Sequence, residues 1–332
     1  MLIRPATSED KPAMMELLKK SLGESVIPIS ETFWNWKHEQ NPFGSSYVLL
    51  ADQNGKLVGL RAFMQWKWQW HGEVFSAIRA VDTATHPDFQ GKGIFKKLTL
   101  QLLESCQQDG VHFVFNTPNE SSKPGYLKMG WEEQGKMPIK LKIRKPFSLM
   151  VAKLFNRQGN GPVIIDPSPV QAWESKVIQL VDQAVQSHSR LATVHSSSYV
   201  SWRYAHNPLF RYNYFTDNEN FLLISRIKRH SFAKELRLVD FILLKSRADE
   251  TRLSAFMKKE VLAFCAKNDI NLVTISGEQY KEFERFFQWM GIIPVRALGP
   301  VITLRNLNMG DRFPDLLEPR HWSYSLGDME LF

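Results

Sequence analysis

Cysteine is scarce, with two residues in 332. That excludes a disulfide framework, and without a CxxC pair or a Cys/His cluster no metal site is expected. No run approaches 18 apolar residues, which excludes a membrane-spanning helix. The opening residues, MLIRPATSED, carry charges where a secretory leader needs an apolar stretch. No segment is low in complexity. Lys and Arg are spread along the chain instead of gathered in one tract, so no nucleic-acid partner is expected. These absences leave a soluble protein, expected in the cytoplasm.

What the sequence does have is apolar material for a sizeable core. Hydrophobic residues make up 43% and charged ones 23%, a balance that excludes a mainly disordered chain. At about 100–200 residues per domain, this length points to two domains. The formal net charge of +8 suits either simple solubility or an anionic partner such as a nucleotide cofactor.

The chain also echoes itself. Phe33-Trp34-Asn35-Trp36-Lys37-His38-Glu39-Gln40-Asn41-Pro42 is matched by Tyr199-Val200-Ser201-Trp202-Arg203-Tyr204-Ala205-His206-Asn207-Pro208. In the same order, Leu2-Ile3-Arg4-Pro5 echoes Ile164-Ile165-Asp166-Pro167, the segment around Cys106 echoes that around Cys265, and Met129-Gly130-Trp131 echoes Met290-Gly291-Ile292. Pro138-Ile139-Lys140-Leu141 echoes Pro300-Val301-Ile302-Thr303. Ordered matches of this kind predict two copies of one α/β unit, over 1–145 and 162–305, with a linker over 146–161 and a tail over 306–332.

Local signals outline the first copy. Residues 2–6 read as a strand, and 9–21 as a helix capped by Ser8 with Asp10 and Pro12 in its first turn. Residues 46–52 and 57–70 read as a hairpin around Asn54-Gly55, and 73–85 as a long strand. A helix over 92–108 carries Leu98, Leu102 and Leu103 on one stripe and stops at Gly110. A strand over 111–116, a short helix over 119–129 and two strands within 131–143 follow.

The most informative stretch is Ala84-Thr85-His86-Pro87-Asp88-Phe89-Gln90-Gly91-Lys92-Gly93-Ile94-Phe95-Lys96-Lys97-Leu98. A strand ends, a glycine-spaced turn follows, and a helix starts at once. Glycines 91 and 93 let backbone N–H groups approach a ligand. The unsatisfied N–H groups of a helix start favour an anion, by about 0.3–1 kcal/mol from the dipole, and Lys92, Lys96 and Lys97 add charge. The spacing is neither a Walker A loop nor the dinucleotide glycine fingerprint. On its own it fits a pyrophosphate cradle and a basic helix start equally well.

A second stretch, Asn119-Glu120-Ser121-Ser122-Lys123-Pro124-Gly125-Tyr126-Leu127-Lys128-Met129-Gly130-Trp131, changes that balance. With it the chain resembles the GNAT superfamily of N-acetyltransferases over residues 1–145. The signature Gln/Arg-x-x-Gly-x-Gly/Ala is met by Gln90 and Gly93, with Phe95 where a small residue is usual. The signature Asn-x-x-Ala/Ser-x-x-x-Tyr-x-x-x-Gly-aromatic is met by Asn119, Ser122, Tyr126, Gly130 and Trp131. The resemblance implies tandem folds of α/β (α+β) class, each a mixed central sheet flanked by helices. It also implies acetyl-CoA as cofactor. Pantetheine would run along Thr83, Ala84 and Thr85, and the pyrophosphate would sit on the amides of Gln90, Gly91, Lys92, Gly93, Ile94 and Phe95 beside Lys96. Asn119, Ser122 and Tyr126 would stand at the far end. Asn119 as a plain helix cap and Tyr126 as a core aromatic stay open.

Acetyl transfer to an amine needs a neutral nucleophile. A lysine-like amine lies about 3.4 pH units above neutrality, roughly 4.6 kcal/mol, so a base or a desolvated site must offset that. By resemblance, Tyr126 is the acid for the departing thiolate, and a backbone N–H at the 83–85 strand end is the oxyanion donor. The family's glutamate base falls near Arg79 and does not carry over. Asp82 ranks first as base, ahead of Glu73, His71, His86 and His112. The second copy carries Arg247-Ala248-Asp249-Glu250 before its long helix and Phe287 in place of Tyr126, so one active site per chain is expected.

Trp66, Trp68 and Trp70 share one face of a strand, expected to pack on the second half. The linker is expected to pack between domains; whether Asp328 and Glu330 of the tail approach the site is left open by the sequence. The expected reaction is acetylation of the primary amine of a small molecule, an amino sugar or amino-acid derivative. A peptide or protein amine, an aminoacyl transfer and a non-catalytic CoA sensor stay as alternatives, as does a homodimer.

Overall fold

The computed structural model describes residues 1–22, 29–147, 172–184, 189–231, 233–245, 249–291, 294–295 and 299–329. The 164–167 echo, nearly all of the linker, Ile292 and Glu330 lie outside the described residues.

The first sheet begins with β1 (Leu2–Pro5), β2 (Tyr47–Gln53), β3 (Lys56–Trp70), β4 (Glu73–Thr85), β5 (Phe113–Asn116) and β6 (Glu132–Lys136). Asn54 (φ 57°) and Gly55 (φ 75°) both turn left-handed, which the tight β2–β3 hairpin requires. Period-two side chains send Leu60, Ala62, Met64, Trp66 and Trp68 of β3 to one face. There they join Met14 and Leu17 of α1 (Lys11–Leu22) and Trp34 and Trp36 of α2 (Glu31–His38). Phe63, Ile78 and Ala80 serve the opposite face, under Leu98, Leu102 and Leu103 of α3 (Ile94–Gln108). Tyr126 of α4 (Lys123–Lys128) packs on that same side. The cap at the start of the first helical segment is Thr7 and not Ser8: its N–H donates to the Asp10 carboxylate at 2.8 Å.

The second sheet contains β7 (Ile139–Ile143), β9 (Asn213–Thr216), β10 (Phe221–Arg229), β11 (Lys234–Leu243), β12 (Leu272–Ser276) and β13 (Pro294–Val295), in the order β13-β7-β12-β11-β10-β9, while β8 (Ala192–Thr193) pairs with β3 of the first. α5 (Glu250–Lys267) covers it through Leu253, Met257 and Val261. Both sheets mix parallel and antiparallel pairs, so the mixed α/β fold class stands as expected.

The expected boundaries at 145 and 162 do not divide the sheets. β7, from the first half, pairs with β12 of the second sheet. β14 (Val301–Asn306), from the second half, lies between β5 and β6 of the first. β7 and β14 carry the Pro138–Leu141 and Pro300–Thr303 stretches that echo one another in sequence, and each lies in the sheet built mainly by the other half. A period-two apolar pattern fits either sheet equally, so sequence cannot tell which one receives it. The segments leading into β7 and β14 meet where Met137 N–H donates to Pro300 O at 2.9 Å. A Cβ on Gly299 would fall 1.9 Å from Met137 O, so only glycine admits this approach.

The repeated tryptophans meet at the centre. Trp36 Nε1 donates to Trp202 O at 2.9 Å, and Trp202 Nε1 donates to Trp36 O at 2.7 Å. Of the β3 tryptophans, Trp66 meets Tyr199 and Trp202 of the second half and Trp70 Nε1 donates to Ser189 O at 3.2 Å, while the tail supplies Trp322 against Trp68 and Phe313 against Trp70.

Candidate active site

β4 departs from regular pairing near its end. Arg61 faces Thr83 across the β3–β4 ladder while Phe63 faces Ala80, so β4 holds an extra residue at Val81-Asp82, a β-bulge. Its parallel pairing with β5 stops at Arg79↔Phe115. Beyond that point the strand end leads into a groove of about 510 Å³ lined by Thr83, Ala84, Thr85, Gln90, Gly91, Gly93, Ile94, Phe95, Lys96, Asn119 and Ser122. Eleven of the twelve residues expected at a cofactor therefore come together, with Ser21, Phe89, Ser121 and Gly125 added by the fold.

The groove is built for an anion at one end. Gly91 (φ 75°) and Gly93 (φ 74°) hold left-handed conformations. Gly93 is the N-cap of α3, and no side chain occupies the first N–H groups of that helix. Gly59 lets the helix sit directly on the sheet, since a Cβ there would fall 2.6 Å from the Ile94 side chain. Lys92 is the exception among the expected residues. Its ammonium donates to Asp88 O at 3.1 Å and lies 4.5 Å from the Phe89 ring centre, and it does not line the groove. Asn119 does line it, and also closes a local turn, its Oδ1 accepting from Ser122 N–H at 2.9 Å.

Tyr126 lies behind the groove wall. It is 3% exposed, and Phe95 stands edge-on to its ring at 5.6 Å. Phe95 is accommodated because residue 125 is glycine; a Cβ there would come within 3.2 Å of the Phe95 ring. The Tyr126 hydroxyl accepts a hydrogen bond from Arg61 Nη1 at 2.9 Å, a partner absent from the sequence reasoning.

Asp82 points to the opposite face of the sheet. Its Oδ2 accepts from Lys37 Nζ at 2.7 Å and from His38 Nε2 at 2.7 Å. His38 is 2% exposed, while 24% of the Asp82 side chain remains open. Burial by itself would raise the Asp82 carboxyl, but the Lys37 charge and the His38 hydrogen bond hold it well below the usual carboxylate range. For His38 burial dominates and lowers its pKa, so the ring is neutral near pH 7. A carboxylate accepts only, which assigns the proton to Nε2 and leaves Nδ1 to accept from Ser46 Oγ at 2.8 Å. His38 and Ser46 also border a second cavity of about 450 Å³. Sequence reasoning passed over His38 because it lies far from Asp82 along the chain. One signal was available: Arg79-Ala80-Val81-Asp82 and Arg237-Leu238-Val239-Asp240 repeat one pattern, and β11 bulges at the same place.

The other candidates are engaged elsewhere. His86 Nδ1 accepts from Asp88 N–H, His112 Nδ1 accepts from Ser76 N–H at 3.1 Å, and Glu73 and His71 are exposed. Arg79 donates to the carbonyl oxygens of Asp328 and Met329. The Asp328 carboxylate is buried and accepts from Thr193 Oγ1 and Ser325 N–H, so it is the backbone of Asp328 and Met329 that Arg79 of β4 engages. In the second half, the Asp249 side chain accepts from Arg252 N–H and caps α5 itself, and Phe287 is fully buried. Among the described residues no group of His, Cys, Asp and Glu is gathered as for a metal, and no helix is long and apolar enough to cross a membrane.

A family model described as an acetyltransferase (GNAT) domain matches residues 2–133. An L-amino acid N-acyltransferase, MnaT, of Escherichia coli (strain K12) is 28% identical over 94 residues, which are 27% of this chain and 53% of that protein. The match thus spans about half the length of that curated relative. Among solved structures, a conserved protein of unknown function from Enterococcus faecalis V583 superposes with a TM-score of 0.62 at 12% identity, covering 93% of this chain and 73% of that one. A GCN5-related N-acetyltransferase from Anabaena variabilis ATCC 29413 gives a TM-score of 0.61 at 15% identity over 92% of this chain and 73% of that one. Sequence match, shared fold and the groove at the start of α3 agree, and residues 2–133 of this chain match a GNAT acetyltransferase domain.

Proposed function

We propose that the protein is an acetyl-CoA-dependent N-acetyltransferase acting on the primary amine of a small molecule of the amino-acid or amino-sugar class. The observation that carries this reading is the groove at the start of α3: two left-handed glycines, a helix start with no side-chain cap, and a strand end beside it. The backbone N–H groups from Gln90 to Phe95 would hold the pyrophosphate, with Lys96 adding charge, and Thr83 to Thr85 would hold the pantetheine arm. When bound, acetyl-CoA supplies an activated acyl group. Asp82 with His38 takes the proton the acceptor amine gives up, and Tyr126 gives one to the departing sulfur. Asp82 bonds His38 of α2 on one face of the sheet, and Tyr126 packs with α3 on the other. The amino-acid class is favoured by the relative named an L-amino acid N-acyltransferase.

The reading extends to architecture. The reciprocal Trp36–Trp202 contact and the echoing β7 and β14, each in the sheet built mainly by the other half, support two copies of one unit. The second has lost the cofactor groove, because Asp249 caps α5 with negative charge. Acetyl-CoA consumption against a panel of amines tests the whole. Turnover of an amino acid or amino sugar is expected, and Tyr126→Phe should lose turnover while keeping CoA affinity. A chain that binds CoA and acetylates no amine would be a sensor.

A further inference from the structure

Arg61 is fully buried at 0% exposure. Three aromatic rings surround its guanidinium, Phe63 at 4.5 Å, Tyr126 at 5.4 Å and Phe95 at 5.7 Å. Nη1 donates to Tyr126 Oη at 2.9 Å and to Val81 O at 3.4 Å, while Nε and Nη2 have no hydrogen-bond partner. Among the described residues no carboxylate pairs with it. A buried cation without a counter-ion costs stability, and ring faces offset only part of that. A residue of this kind is kept for something other than stability. Its place is also specific: Arg61 faces Thr83, a groove residue, at the β4 bulge.

We propose that Arg61 is a positioning residue for Tyr126 in acyl transfer. This rests on the function proposed above. With an Arg61 N–H on the phenolic oxygen, the Tyr126 proton must point away from the guanidinium, free to be given up. In the balanced step the C–S bond breaks and a C–N bond forms. The amine loses one proton to the Asp82–His38 side, and the sulfur takes one from Tyr126, which regains it from solvent. The guanidinium stands beside the oxygen on which negative charge then develops.

A double-mutant cycle on the full chain tests this, combining Arg61→Met and Tyr126→Phe with thermal melts, CoA titration and kcat. Arg61→Met is expected to melt at or above the wild-type temperature, to bind CoA as tightly as wild type, and to lose kcat about as far as Tyr126→Phe, on the order of 10²-fold. The double variant should lose no more than either single one. Arg61→Lys, which keeps the cation, should recover part of kcat. Misfolding or a lower melting temperature in Arg61→Met would overturn the proposal, since the guanidinium would then be structural. Equal kcat losses in the Tyr126 and Tyr126→Phe backgrounds would overturn it as well. If wild-type protein acetylates no amine, the proposed function fails instead, and the melting arm still reports whether Arg61 is a cost to stability.

Discussion

Asp82 and Asp240 each end an Arg-x-Val-Asp stretch at a β-bulge, one in either sheet, and their surroundings differ group by group. Asp82 Oδ2 takes the Lys37 ammonium and His38 Nε2, Oδ1 has no partner among the described residues, and 24% of the side chain is open. Asp240 is closed to solvent and bonded on both oxygens. Oδ2 accepts from Tyr204 Oη at 2.8 Å and His195 Nε2 at 3.1 Å, and Oδ1 accepts from Gln279 Nε2 and Phe241 N–H at 2.9 Å. A carboxylate with a free oxygen and a neutral imidazole beside it can exchange a proton. One that is saturated ties elements together. The helix starts diverge in the same sense, α3 left open by Gly93 and α5 closed by Asp249.

The sharpest way to break this contrast is to neutralise each carboxylate. Asp82→Asn should cut kcat by about 10²–10⁴-fold, the range of general base catalysis. Asp240→Asn should leave the kcat of folded protein near wild type and cost about 3–5 kcal/mol of stability, because a buried partner is removed from His195. Kinetics with saturating acetyl-CoA and urea unfolding on the same samples separate the two. If Asp240→Asn loses turnover as Asp82→Asn does, the halves are not divided in this way.

The helix starts give the next test. Gly93→Ala puts a Cβ on a left-handed residue (φ 74°), costing about 1–2 kcal/mol. It should weaken CoA binding measured by calorimetry, because the amides would shift. Asp249→Ala removes a cap worth about 0.5–2 kcal/mol and should leave CoA binding unchanged at one site per chain. A second CoA site would contradict the assignment of a single groove.

What could be read from sequence follows how each part is encoded. The groove was legible because Thr83 to Lys96 are contiguous and Asn119 follows soon after, so one local pattern specifies strand, turn and helix start. The tryptophan row was legible because period two fixes a shared face. The Asp82–His38 pair was not, because only the packing of α2 on β4 unites them. The sheets that receive β7 and β14 were hidden for a different reason. β7 and β14 carry near-equivalent patterns, and the choice between sheets depends on the close approach at Met137 and Gly299. Lys92 reads as a ligand through its amide and its charge, but its flexible ammonium finds its nearest carbonyl and ring.

The smallest expected effect sets His38 against His195, both nearly closed to solvent and both bonded to an aspartate. Burial lowers both. At His38 it prevails, because the Lys37 charge opposes protonation alongside it. At His195 the Asp240 charge and hydrogen bond, with a further contribution from Asp328, outweigh burial and raise the pKa. Arg203, which follows Lys37 in the repeat, gives its N–H groups to Gly327 O instead. An unfolded histidine titrates near pH 6.5, so the two contribute to stability with opposite sign. Below that pH the unfolded chain binds a proton that folded His38 refuses, and stability falls as pH drops. For His195 the stabilisation is full below pH 6.5 and is lost as pH rises through its raised value. Each slope is at most about 1.4 kcal/mol per pH unit. His38→Gln should therefore flatten the acid side of a stability profile taken from pH 5 to 9, and His195→Gln the alkaline side. Flattening on the same side by both substitutions would show that Lys37 does not set the two imidazoles apart.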